Sequence, residues 1–188
     1  MKDAKTKYKI NDLIKKRWST RNFSVQPIEK EKLYSLLEAA RWAPSSMNAQ
    51  PWRFIIAEKS NEEKFAKVLE SLNARNKIWA KNAAVLLVTL TQPNFEKNGK
   101  PNKYALHDVG LAIGNLSIQA TEHEIYLHQM GGFSAEVLSA NFMLPENLEP
   151  VSVIALGYKG DGSALDEMFT DAESSERSRI ELEELILD

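Results

Sequence analysis

Cysteine is wholly absent from the 188 residues of this chain. That absence removes disulfides, thiol nucleophiles, iron–sulfur ligation and thiolate zinc sites, and it fits a reducing, cytoplasmic setting. Histidine is scarce, at His107, His123 and His128. No pair of them has i, i+4 spacing with a third ligand nearby, so no zinc site is expected. No serine sits in a glycine elbow either, so a hydrolytic triad is not expected. His107 and Asp108 are neighbours, but adjacent helical residues point about 100° apart, and the two are not expected to face one another. Long apolar runs are missing: none reaches the roughly 18 residues that cross a bilayer. Met1–Lys9 is polar and basic with no apolar stretch behind it, so no secretory signal is expected. Excess charge of one sign is lacking too. A net charge of −2 gives no general attraction to nucleic acid or to an anionic membrane.

What is present is an ordinary balance of 43% hydrophobic and 27% charged residues. The length suits a single domain over residues 1–188. Ile10, Leu13 and Ile14 have the spacing of a short first helix. Glu29–Arg41 reads as a longer one, with Leu33, Leu36, Leu37 and Ala40 on its apolar face. Trp52–Glu58 reads as a strand that buries Ile55 and Ile56. Asn61 is placed to cap a helix carrying Phe65, Val68, Leu69 and Leu72, and Asn76 and Trp79 follow in a short connector. Ala83–Leu90 is apolar almost throughout, as in a strand covered on both faces. A loop over Thr91–Lys103 leads to a helix over Tyr104–Glu122 with a line of small residues: Ala105, Gly110, Ala112, Gly114 and Ala120. Glycine costs about 1 kcal/mol in a helix interior, so close approach of a neighbour is expected, from the same core or from a second subunit. Ile125–Met130 and Glu149–Leu156 complete the strands, separated by a helix over Ser134–Phe142. A polar linker then leads to a small amphipathic helix bearing Leu182, Leu185 and Ile186.

Three stretches carry possible chemistry. Between two prolines, Pro44 and Pro51, a polar loop presents Ser45, Ser46, Asn48 and Gln50, groups that donate and accept hydrogen bonds and suit a neutral polar ligand better than a metal. Trp42 and Trp52 flank it as ligand walls or as core. Arg17, Ser19 and Arg21 leave the first helix as a solvated basic terminus or as a phosphate clamp. Gly131 and Gly132 at a strand end allow a sharp turn or close backbone approach to a ligand. Gly157-Tyr158-Lys159-Gly160-Asp161-Gly162 mimics a phosphate loop but leads into coil instead of a helix, so a dinucleotide fold is not read from it.

The run Trp42-Ala43-Pro44-Ser45-Ser46-Met47-Asn48-Ala49-Gln50-Pro51-Trp52 resembles the signature loop of the FMN-dependent nitroreductase family. Arg17-x-Ser19-x-Arg21, upstream of it, resembles a second signature, and His128-Gln129-Met130-Gly131-Gly132-Phe133 a third. The resemblance implies an α+β, three-layer α-β-α fold, with a central, mostly antiparallel sheet, and a homodimer with shared active sites. It implies FMN as cofactor and NAD(P)H as reductant, with a ping-pong hydride transfer to nitroaromatic, quinone or related conjugated acceptors. It implies Arg17, Ser19, Arg177 and Arg179 around the phosphate, with Arg179 ahead of Arg177, Trp18 among the cofactor-binding residues, and Arg21 near the ribityl chain and the N1/O2 edge. Pro44, Ser45, Ser46 and Asn48 would approach the flavin of the opposite subunit. Met130, Gly131 and Gly132 would place an N–H at N5, and Asn76 would reach the pyrimidine edge. No catalytic side chain is required, because the cofactor carries the chemistry. Ile180 stands where the family usually has proline. Other reactions on the same fold (reductive dehalogenation, enone reduction, an oxidation) and non-catalytic flavin binding remain open at this level.

Overall fold

The structure, a computed structural model, describes residues 2–187. Its elements run in the order α1 (Asp12–Lys16), α2 (Lys30–Arg41), β1 (Trp52–Glu58), α3 (Glu62–Ser71), α4 (Ala74–Ala80), β2 (Val85–Thr91), α5 (Ala105–Glu122), β3 (Tyr126–Met130), α6 (Ala135–Phe142), β4 (Glu149–Gly157) and α7 (Thr170–Ser174). The helix starts follow local chemistry. The side chains of Asn61, Asn73 and Ser134 each accept an amide of the first turn that follows them, satisfying donors that no intrahelical carbonyl can reach.

The four strands form one sheet in the order β1-β2-β4-β3, and all three pairings are antiparallel. Every residue of β2 is buried, as its unbroken apolar sequence requires. Val85 and Leu87 join Ile154 and Leu156 on the face covered by α2 and α5. Leu86, Val88 and Leu90 join Val153 and Ala155 on the face covered by α3, α4 and α6. Period-two side-chain alternation thus builds two apolar layers from one strand pair, an α-β-α sandwich.

Some expectations are corrected. Ile55 and Ile56 are only half-buried, because β1 is an edge strand with one hydrogen-bonded neighbour. Asn76 and Trp79 lie within helix α4 and not in a connector; Trp79 anchors it, buried among Phe23, Val88 and Ala155 of the lower core. Helix α1 is one short turn that buries nothing, with Ile14 exposed. The polar linker contains a turn of 3-10 helix at Glu167–Phe169 and helix α7, pinned by the buried ring of Phe169. The small amphipathic helix near the C-terminus is a single 3-10 turn, Leu182–Leu185, and its leucines are exposed.

The small residues of α5 divide. Ala105, Ala112 and Ala120 are buried against the chain's own core, whereas a Cβ on Gly110 or Gly114 would meet nothing within 4 Å. The alanines explain the close approach of α2; within this chain, the glycines explain nothing.

Candidate functional site

The polar loop between the two prolines is under backbone strain. Met47, Asn48 and Gln50 have φ of 53°, 54° and 47°, the left-handed region that costs a side-chain-bearing residue about 1–2 kcal/mol. The surroundings hold the loop in place. The carboxylate of Asp108, buried in α5, accepts the Ser46 N–H at 2.9 Å, and Ser45 Oγ accepts the Gln50 N–H at 3.0 Å. His107 Nδ1 lies 3.1 Å from the other Asp108 oxygen. The two neighbours therefore do meet, contrary to the angular argument, because the imidazole reaches round the helix to a carboxylate turned toward the loop. Of the flanking tryptophans, Trp52 is core and Trp42 is 73% exposed, its Nε1–H donated to Glu38.

The second group of residues gathers at the other edge of the sheet. Arg17, Arg177 and Arg179 line a cavity of about 420 Å³ between the N-terminal segment and the C-terminal tail. Burial, and then the like charges of Arg177 and Arg179, pull the Arg17 pKa below its ordinary value. Arg177 is lowered by burial and by Arg179. Arg21 is lowered by burial and by Arg75, partly offset by Glu173. Among the described residues, no carboxylate lies within ion-pair distance of these five guanidinium groups. A cluster of unpaired cations held together against repulsion is suited to an anion with several oxygens, such as a phosphate.

The arginines differ in what already occupies them. Arg177 donates to the carbonyls of Lys2 and Lys15, at 2.9 and 2.6 Å, and so ties the tail to the N-terminal segment. Among the described residues Arg179 donates only to its neighbour Ser178. Arg17 leans toward Ser19 Oγ at 3.5 Å. The Trp18 side chain is buried, edge-on to Tyr126 at 6.3 Å, so it serves as packing and leaves Ser19 exposed beside it.

The turn after β3 is tied to α4, the helix that carries Arg75. The Gly132 carbonyl accepts the Asn73 N–H at 2.9 Å and the Asn76 Nδ2–H at 3.2 Å. A Cβ on Gly132 would fall 2.1 Å from Asn73 Nδ2, so this position requires glycine. Met130 is buried, while Gly131 is exposed and its Cβ direction is open. The outcome is a backbone ledge with a free face, a place where a flat ligand could lie against main chain.

Arg75 and Glu173 carried no sequence signal, and His128 carried one only as the first residue of the third signature. Arg75 stacks on the Phe169 ring at 5.7 Å while Arg21 stacks on it at 5.4 Å. His128 lies 4.6 Å from the Trp79 ring, and burial, then Arg21 and Arg17, hold its pKa down at about 4. It stands neutral beside the arginines at neutral pH. Glu173 accepts from Thr20 and Arg21.

The two groups do not meet within the chain. The loop precedes β1 and the glycine turn follows β3, at the same end of the sheet but on opposite edges. Three strand spacings separate them, about 14 Å.

The sequence model of the nitroreductase family matches residues 14–158. The chain belongs to the nitroreductase family. A solved structure described as an oxidoreductase containing FMN shares 32% identity with it, with a TM-score of 0.88 over 96% of this chain and 92% of that one. An iodotyrosine deiodinase of Thermotoga neapolitana is 31% identical over 134 residues, 60% of this chain and 68% of its own. A Bacillus subtilis protein, YdgI, whose name provisionally assigns it as an NAD(P)H nitroreductase, is 26% identical, over 81% of this chain and 91% of its own length. The nitroreductase fold inferred from the signature loops is the fold found.

Proposed function

We propose that this nitroreductase-family protein is a single-domain cytoplasmic enzyme that binds FMN and oxidises NAD(P)H, delivering a hydride to nitroaromatic, quinone or related conjugated acceptors. The observation that carries this reading is the unpaired arginine cluster, one of whose members, Arg75, lies on α4 beside the Asn76 that holds the glycine turn. Five cations without carboxylate partners fit the phosphate end of the cofactor, and the Gly131-Gly132 backbone fits its flat ring. Bound FMN would supply the redox chemistry, taking a hydride from NAD(P)H and passing it to an acceptor that then occupies the same place, a ping-pong scheme.

The residues of the chain supply binding and orientation. Arg17, Ser19 and Arg179 would take phosphate oxygens, with Arg177 bracing the tail. Arg21 would stand near the N1/O2 edge, where a cation stabilises negative charge on the reduced ring by Coulomb attraction. Asn76, with its Nδ2–H spent on Gly132, has its carbonyl oxygen left for the pyrimidine edge. The backbone after Met130 would offer an N–H to N5.

A second copy of the chain is part of the proposal. Pro44, Ser45, Ser46 and Asn48 sit about 14 Å across the sheet from the glycine turn, too far to share a ligand within one subunit. The open faces of Gly110 and Gly114, with exposed Leu106 and Leu111 beside them, fit a homodimer contact along α5. The likeness to an iodotyrosine deiodinase supports keeping reductive dehalogenation as the second reaction to assay.

The test is anaerobic photometry of the purified protein carrying FMN. NADH or NADPH should bleach the flavin absorbance, and a nitroaromatic, a quinone or a halogenated phenol should restore it. Flavin that stays oxidised in excess NAD(P)H would refute the enzyme reading.

A further inference from the structure

The peptide bond between Thr20 and Arg21 is gripped from both sides by side chains far away in sequence. Its carbonyl lies 3.0 Å from His128 Nδ1, on β3. A carbonyl can only accept, so that nitrogen carries the proton in the neutral ring. Its N–H donates to Glu173 Oε2, on α7, at 3.1 Å. The other oxygen of Glu173 accepts the Thr20 hydroxyl at 2.5 Å, and Thr20 Oγ1 in turn accepts the Asn22 N–H at 3.0 Å. Thr20 itself is fully buried.

A peptide unit is planar, so holding both its N–H and its C=O fixes the orientation of the whole plane. That plane fixes the N–Cα bond of Arg21, the anchor from which its side chain leaves the backbone. Arg21 leaves it over the rings of Trp79 and Phe169, with centroid distances of 5.8 and 5.4 Å. The direction is not one that electrostatics alone would choose. Burial and the like charge on Arg75, only partly offset by Glu173, would drive a free guanidinium out to water, where its hydration is better and its neighbours are screened.

We propose that His128 and Glu173 are positioning residues for cofactor binding, acting together on the Thr20–Arg21 peptide to aim Arg21 into the site. The proposal rests on the reading above that Arg21 contacts the flavin. Neither side chain needs to touch the cofactor. The assignment also explains why a carboxylate stands among so many site cations: its oxygens are taken up by the backbone N–H and the threonine hydroxyl and not by a guanidinium.

The experiment is FMN titration of the apo-protein, followed by flavin fluorescence, with each variant first checked for cooperative unfolding. His128→Leu and Glu173→Ala should each weaken FMN binding about tenfold, the scale of one lost hydrogen bond in a binding constant. His128→Asn has an amide nitrogen at the position of Nδ1, and Glu173→Gln keeps an acceptor for the Arg21 N–H; each should recover most of the affinity. The deciding readout is a double-mutant cycle with Arg21→Ala. In that background His128→Leu and Glu173→Ala should cost little more, because there is no guanidinium left to aim. Costs that are the same with and without Arg21 would overturn the proposal, as would unaltered binding in both single variants. If instead the wild-type chain does not bind FMN, or Arg21→Ala binds as tightly as wild type, the functional reading itself fails.

Discussion

The buried carboxylate of Asp108 accepts the backbone N–H of Ser46 at 2.9 Å, joining the long helix α5 to the strained loop that carries the family signature. A loop with three left-handed residues in four positions would relax if released. Asp108 is the restraint that α5 contributes. Asp108→Ala should lower stability by about 1–3 kcal/mol, since it strands a backbone donor. Asp108→Asn, with an acceptor of the same shape, should lose less than half as much. Urea unfolding of the two variants checks the order; equal losses would show that the hydrogen bond to Ser46 is not what matters.

Arg177 and Arg179 should separate stability from cofactor binding. Arg177 is spent on the carbonyls of Lys2 and Lys15, so Arg177→Ala should cost about 1–2 kcal/mol of folding stability. Arg179 has no such tether, so Arg179→Ala should leave the unfolding midpoint unchanged and weaken FMN by roughly 10- to 100-fold. Apo-protein titration beside a denaturant series measures both. Swapped phenotypes would reverse the assignment.

Gly132→Ala should damage the glycine ledge. The new Cβ would arrive 2.1 Å from Asn73 Nδ2, and turning Asn73 away would forfeit its cap on α4, a loss of about 0.5–2 kcal/mol. Because Asn76 leans on the same carbonyl, FMN affinity should fall as well. Gly131→Ala, with open space around its Cβ, is the matched control and should fold as wild type.

His128 makes the apo-protein sensitive to acid. Its folded pKa is about 4, whereas an unfolded histidine titrates near 6.5. Below pH 6.5 the unfolded chain therefore binds the proton first, and stability falls as pH drops, until the folded group also titrates near pH 4. The window is worth up to about 3 kcal/mol, with no contribution at pH 7 and above. Unfolding curves between pH 7 and 4.5 should show a shallower decline for His128→Asn than for wild type; parallel curves would sink the prediction.

Gly110→Arg should split the proposed dimer without unfolding the subunit. Nothing lies within 4 Å of a Cβ placed there, and replacing a mid-helix glycine favours the helix by a few tenths to about 1 kcal/mol. Light scattering after gel filtration should give subunit mass for the variant and twice that for wild type. A wild-type chain that runs as a single subunit would remove the shared site.

The sequence alone determined the parts of this protein that are local. Trp52–Glu58 is a strand, Asn61 is a cap, and the two prolines fence a polar loop, because periodicity, caps and breakers act within a few residues. The short signatures could be matched to a family for the same reason. Tertiary structure alone decided the rest. It made Ile55 and Ile56 half-exposed by placing β1 at an edge, turned the segment of Asn76 and Trp79 into a helix, and set the loop and the arginines on opposite sides of the sheet. It also brought His128 and Glu173, 108 and 153 positions from Thr20, onto the peptide bond that Thr20 shares with Arg21. No periodicity records such a meeting, since it depends on how the strands are ordered and not on what any stretch of chain prefers by itself.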